Sequence, residues 1–170
     1  MLTIAFIGFR GSGKSTLGEW LANELGVPFV DSDVEILEHL QCETVTQAWE
    51  EFGENGWREA ELNVIPELLE RNAVIALGGG APTIPVVSKA LSGVPVVFNL
   101  TADVESTRSR IAKGSDRPEL AEPDLDVRLK RLGTYAMLGT CGIDTSGDIS
   151  ESKSKILHFL NHGHSEITGK

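Results

Sequence analysis

The sequence predicts an α/β fold: one parallel sheet of five strands, covered on both faces by helices. Three observations carry that expectation. Along 170 residues, short apolar runs alternate with longer amphipathic stretches, the pattern of strands and helices in regular succession. The runs are too short for helices, and most are rich in Val and Ile. The first passes directly into "GFRGSGKST", Gly8 to Thr16, a glycine-rich turn standing where a strand should hand over to a helix.

Taken in order, Thr3–Ile7 is the first strand. Leu17, Leu21 and Leu25 then recur at every fourth residue and stop at Gly26, a suitable helix C-cap. Pro28–Val30 is the second strand, and Asp33 stands where it could cap a following helix at Val34 and Glu35. Glu59 to Arg71 places Leu62, Ile65, Leu68 and Leu69 on one side of a helix that Pro66 either kinks or opens. Ala73–Leu77 is the third strand, and "GGGAP" (Gly78 to Pro82) fits neither element at its end. Val94–Leu100 is the fourth strand. Helices are expected over Val104–Lys113 and Asp124–Leu138, with the polar, proline-broken Gly114–Pro123 as a mobile loop between them. Cys141–Asp144 is the fifth strand, and Ser152–Leu160 is the closing helix. Residues 1–162 read as one domain and 163–170 as a disordered tail.

Apolar residues are 41% of the chain, enough for one real core, and no run approaches the ~20 residues of a membrane span. The N-terminus has neither the basic start nor the small-residue cleavage site of a signal peptide. Cys42 and Cys141 fit no paired spacing and read as reduced thiols of a cytoplasmic protein. A formal net charge of −10 argues against nucleic acid as a partner. The cations are unevenly placed. No Lys or Arg lies between Lys14 and Arg58, where ten acidic residues occur, while seven of the fifteen fall between Arg108 and Arg131. Such gathering points to a small anionic ligand; for Arg128 and Lys130 a solvated helix face is an equal alternative.

The opening turn fits G-x-x-x-x-G-K-[ST] through Gly8, Gly13, Lys14 and Ser15. Glycines let successive backbone N–H groups point inward at phosphate oxygens, and the helix behind them adds its positive dipole end. Gly11, Ser12, Gly13, Lys14, Ser15 and Thr16 are therefore expected to bind the phosphates of ATP. Lys14 would reach the β- and γ-phosphates and Ser15 a Mg²⁺. Asp31 and Asp33 end the second strand at i,i+2, so their carboxylates should point the same way. One near Mg²⁺ and one near an acceptor hydroxyl is a sensible division; a helix cap would need only one of them. Glu54, Arg58 and Glu61 share a helix face. They read either as a surface ion-pair ladder or as an arginine fork for a substrate carboxylate, steadied by its acidic neighbours.

The ordered set "GFRGSGKST", "FVDSD", "FGENGWREAE", "LGGGAP", "DRPEL", "RLGTY" and "DTSG" resembles shikimate kinases, the small P-loop kinases of aromatic amino-acid biosynthesis. The resemblance runs to about Leu160. It implies a P-loop NTPase fold of the nucleoside-monophosphate-kinase type, with a mobile lid at about 112–124. It further implies transfer of the γ-phosphate of MgATP to the 3-hydroxyl of shikimate by a monomer. By that likeness Asp33 holds the acceptor hydroxyls, either as the base that takes the proton or as a group that only orients them, and Asp31 supports Mg²⁺ through water. Arg58 and Arg131 take the shikimate carboxylate, with Glu61 orienting Arg58. Gly78, Gly79 and Gly80 bring bare backbone against the ring, Arg110 packs on adenine, and Arg117, beside Pro118, reaches the transferring phosphate.

Three departures stand out. Trp57 replaces the usual phenylalanine, Glu119 follows the lid proline, and "YAMLG" lacks the usual Glu and Ala after Tyr135. Two readings compete with the kinase of shikimate. A related small-molecule kinase, such as one for gluconate, need not pair Arg58 with Arg131. A non-catalytic nucleotide-binding module would not need Lys14, Asp31, Asp33 and Arg117 together. His158 and His162, at i,i+4, are expected to be a frayed solvent-facing end rather than a metal pair. Trp20 and Trp49 read as packing residues, and Cys42 as a small buried apolar one.

Overall fold

All five expected strands form, each within two residues of its expected ends. The structure, a computed structural model, describes residues 2–112 and 124–163. The expected loop and lid core at 113–123, with Arg117, Pro118 and Glu119, and the tail from residue 164 onward lie outside the described residues.

Strands β1 (Ile4–Gly8), β2 (Phe29–Asp31), β3 (Val74–Ala76), β4 (Val96–Thr101) and β5 (Cys141–Asp144) make one parallel sheet in the order β2-β3-β1-β4-β5. Ile4 on the central strand lies opposite Val74 on one side and Val96 on the other. Alternation along β1 divides the core. Ile4 and Phe6 face α1 (Lys14–Leu25) and α7 (Ile149–His162), where Leu17, Leu21 and Ile156 are buried. Ala5 and Ile7 face the opposite layer. That layer comprises α2 (Ser32–Leu40), α3 (Val45–Leu68), α4 (Pro85–Leu91) and α6 (Asp124–Leu138). Covering both faces explains why the strands read as continuous apolar runs. Helix α5 (Val104–Ala112) follows β4.

Several helices differ from expectation. Asp31, not Asp33, caps α2, accepting from the Asp33 backbone N–H at 3.0 Å, so the helix begins before Asp33. The helix expected from Glu59 starts at Val45 and is bent at Gly53 (φ 67°), while Pro66 lies in its last turn and neither opens nor kinks it. Up to Gly53 this helix fully buries only Ala48, which leaves almost no periodic signal. Helix α4 was not expected, because Pro85 looks like a breaker; it sits at the first helical position, where a missing N–H is harmless. Among the described residues no helix is long and apolar enough to cross a membrane.

Asp103 precedes α5, and its carboxylate accepts from the Ser106 backbone N–H at 2.6 Å and the Ser106 hydroxyl at 2.7 Å. These bonds, the backbone one foremost, lower its pKa from 3.8 to about 2. A depressed carboxyl stabilises the fold above its ordinary range and loses that contribution as pH falls through the folded value. Asp103→Ala should therefore lower the unfolding midpoint at neutral pH, and the gap to the parent should close between pH 3.8 and about 2. A gap of constant size across that window would show that the carboxylate charge is not responsible.

Candidate active site

The glycine loop after β1, Asp31 and Asp33 at the end of β2, and the glycine turn after β3 all lie at the carboxyl ends of their strands, where open α/β sheets bind ligands. β1 is flanked by β3 and β4, so the loop leaving it stands where the strand order switches direction. Gly13 ends that loop with φ 94°, a left-handed conformation that bare glycine adopts readily, and it opens α1 directly behind. The Lys14 ammonium donates to the carbonyls of Gly8 and Phe9, both at 3.0 Å.

A groove of ≈550 Å³ runs along the loop. It is lined by Gly11, Gly13, Lys14, Ser15, Thr16, Asp31, Asp33 and Arg110 among others. The Ser15 hydroxyl donates to an Asp31 carboxylate oxygen at 2.7 Å, so two oxygen donors meet at its wall. Ser12 faces a separate recess with Thr145, whose hydroxyl donates to the Ser12 carbonyl at 2.8 Å. Arg110 closes the same corner, donating to the carbonyls of Gly11 (3.2 Å) and Thr145 (2.6 Å).

Beside the groove lies a tighter cavity of ≈70 Å³, lined by Asp33, Trp57, Arg58, Glu61, Gly78, Gly79, Gly80 and Arg131, with Arg10, Val45 and Trp49. Arg58 and Arg131, 73 positions apart in the chain, thus line one cavity. The glycine turn after β3 is pinned from three sides. The Gly78 N–H donates to the Ser32 hydroxyl (2.9 Å), the Gly79 carbonyl accepts from Tyr135 (2.5 Å), and the Gly80 carbonyl accepts from Thr83 (2.7 Å). Burial pushes the Tyr135 phenol pKa up, so the phenol stays a donor. A side chain on this turn would collide with the cavity's polar groups. A Cβ at Gly78 would lie 2.6 Å from the Asp33 carboxylate, and one at Gly80 would overlap the Arg58 guanidinium.

Arg58 is held at both ends of its fork, by Glu61 at 2.5 Å and Glu54 at 3.5 Å. The two partners are unequal. Glu54 is exposed, while Glu61 is 1% exposed and also hydrogen-bonds Trp57. Burial raises the Glu61 pKa, against the lowering effect of Arg58. The ladder is therefore no ordinary surface array, since its inner member lies inside the cavity wall.

Three lining residues are not marked as site residues by the sequence. Arg10 occupies an unspecified position of the glycine motif, Val45 opens α3, and Trp49 reads as packing, yet all three line the cavity. No local pattern marks any of them. His158 and His162 stack on each other with ring centroids 4.5 Å apart, and no group of three metal-ligating side chains occurs among the described residues.

A glycine-rich loop on the central strand of a parallel sheet, opening a helix at the switch point, is the architecture of the P-loop nucleotide-binding proteins. Within that class, the family model for shikimate kinase matches residues 10–161, and the chain belongs to the shikimate kinase family. A shikimate kinase of Zymomonas mobilis is 37% identical over 131 residues, covering 76% of this chain and 74% of its own. One of Staphylococcus haemolyticus is 30% identical over 164 residues, covering 94% and 95%. The solved structure of the Acinetobacter baumannii enzyme in complex with shikimate superposes with a TM-score of 0.86 at 30% identity, over all of this chain and 96% of that one.

Proposed function

We propose that the chain transfers the γ-phosphoryl group of ATP to the 3-hydroxyl of shikimate. The observation that carries this reading is the adjoining pair of sites: a phosphate-binding groove and a two-arginine cavity that share Asp33. Two guanidinium groups from separate helices suit one planar carboxylate better than flexible lysines would. The reaction forms a bond from the acceptor oxygen to the γ-phosphorus as the bond to the β,γ-bridging oxygen breaks. ADP leaves with that electron pair, and the hydroxyl proton passes to Asp33. Ser15 and Asp31 present the hard oxygen donors that Mg²⁺ prefers, and the ion when bound would neutralise charge on the phosphates. Lys14 and the N-terminus of α1 hold the phosphates, and Arg58 and Arg131 fix the acceptor, so catalysis is positioning and charge neutralisation.

The test is ADP release from MgATP with shikimate, quinate or gluconate in turn. Turnover dependent on shikimate supports the reading, turnover with gluconate alone replaces the acceptor, and ATP binding without turnover on any acceptor removes the activity. The glycine turn gives a second check. Gly80→Ala should raise the KM for shikimate by about tenfold or more, because its methyl group displaces Arg58, while the KM for ATP stays within about twofold. Equal losses at both substrates would mean that the turn had collapsed rather than shifted one guanidinium.

A further inference from the structure

Of the described residues that line the nucleotide groove, only Arg10, Asp33 and Val45 also line the acceptor cavity. They form the boundary that a phosphoryl group crosses in passing from donor to acceptor. Val45 is apolar and Asp33 is an acid suited to the hydroxyl; Arg10 is the one cation of the three. Its Nε is shielded from solvent, and its backbone nitrogen lies 3.6 Å from where a Cβ on Gly79 would stand, so the loop and the glycine turn meet at this residue.

Position separates Arg10 from the other arginines of the cavity. Arg58 and Arg131 line the acceptor cavity alone, not the groove. Asp33 places a negative charge beside the path of an incoming anion, which by itself opposes transfer. A guanidinium on the same boundary offsets that charge and can follow the phosphoryl oxygens across it, as preorganised cations do in phosphoryl transfer.

We propose that Arg10 is a further catalytic residue: a guanidinium that contacts the transferring phosphoryl group and then the phosphate ester of the product. The inference rests on the shikimate-phosphorylating reading. It makes Arg10 different in kind from Arg58, because Arg10 should discriminate the phosphorylated acceptor from the free one, whereas a carboxylate ligand treats both alike.

The experiment compares Arg10→Met, of similar length without charge, and Arg10→Lys with the parent chain. Each is assayed for turnover and for the dissociation constants of shikimate and shikimate 3-phosphate, with thermal unfolding as a control on folding. For Arg10→Met the expected result is turnover lower by about tenfold or more and binding of the phosphate ester weaker by about tenfold, with shikimate binding within about twofold. Arg10→Lys, which keeps a charge without the fork, should recover part of both losses. Equal weakening of shikimate and its phosphate ester would assign Arg10 to the carboxylate and overturn the inference, as would unchanged ester binding in a folded Arg10→Met chain. If Arg10→Met fails to fold, Arg10→Lys decides by the same ratio of the two constants. A parent chain that does not phosphorylate shikimate would remove the functional reading, and this inference with it.

Discussion

Asp33→Asn should lower turnover by about a hundredfold or more while leaving nucleotide affinity within about twofold. Asparagine keeps the shape of the side chain and one acceptor oxygen but cannot take a proton at neutral pH. Asp33 is 8% exposed and lies at the boundary of groove and cavity, and its Oδ1 would be 2.6 Å from a Cβ on Gly78, so the carboxylate rests against bare backbone. Its backbone N–H is taken by Asp31, so the capping of α2 falls to Asp31 and not to Asp33. Asp31→Asn provides the contrast. It disturbs the Ser15 hydroxyl and the start of α2 together, so if Mg²⁺ is held there as proposed, its effect should fall on Mg²⁺ dependence and on stability as well as on rate. Measured kcat, ATP affinity and Mg²⁺ dependence for the two variants separate the roles. Full turnover in Asp33→Asn would take Asp33 out of the chemistry.

The strands were legible because burial on both faces leaves Val and Ile runs that need no tertiary information. The glycine loop was legible for the same local reason: the spacing of Gly8, Gly13, Lys14 and Ser15 marks a strand-to-helix turn within nine consecutive residues, and β1 passes to α1 through it. What escaped was set by distant contacts. The first half of α3 buries little besides Ala48, so its helical period is silent. The Asp31 cap looked like an Asp33 cap because β2 gives way to helix at once, which also removes the strand argument for parallel carboxylates. Arg10 and Trp49 join the cavity only because α3 and the glycine turn close over the loop, a fact of strand order that no window of sequence contains. Helix α4 hid behind two prolines that mark turns almost as often as helix starts.

Arg58→Ala should raise the KM for shikimate by about ten- to a hundredfold, the range of one charge-assisted hydrogen bond lost to an anion, with the KM for ATP nearly unchanged. The larger claim concerns Glu61. Burial raises its pKa, yet it must be ionised to hold the guanidinium. As pH falls through that raised value, Glu61 takes up a proton, its grip on Arg58 weakens, and the KM for shikimate should rise. Stability runs the other way. A carboxyl whose folded pKa is raised stabilises the fold fully below its unfolded value and loses that contribution as pH rises through the folded one. The ionised form that serves binding is therefore the less stable one. Glu61→Gln should flatten the acid limb of the acceptor KM and raise KM throughout, while the chain keeps its stability at higher pH better than the parent does. The measurements are KM against pH and urea unfolding against pH for both chains. If the acid limb survived in Glu61→Gln, another group would control the fork. If Arg58→Ala weakened ATP alone, the cavity would have to be assigned to the nucleotide.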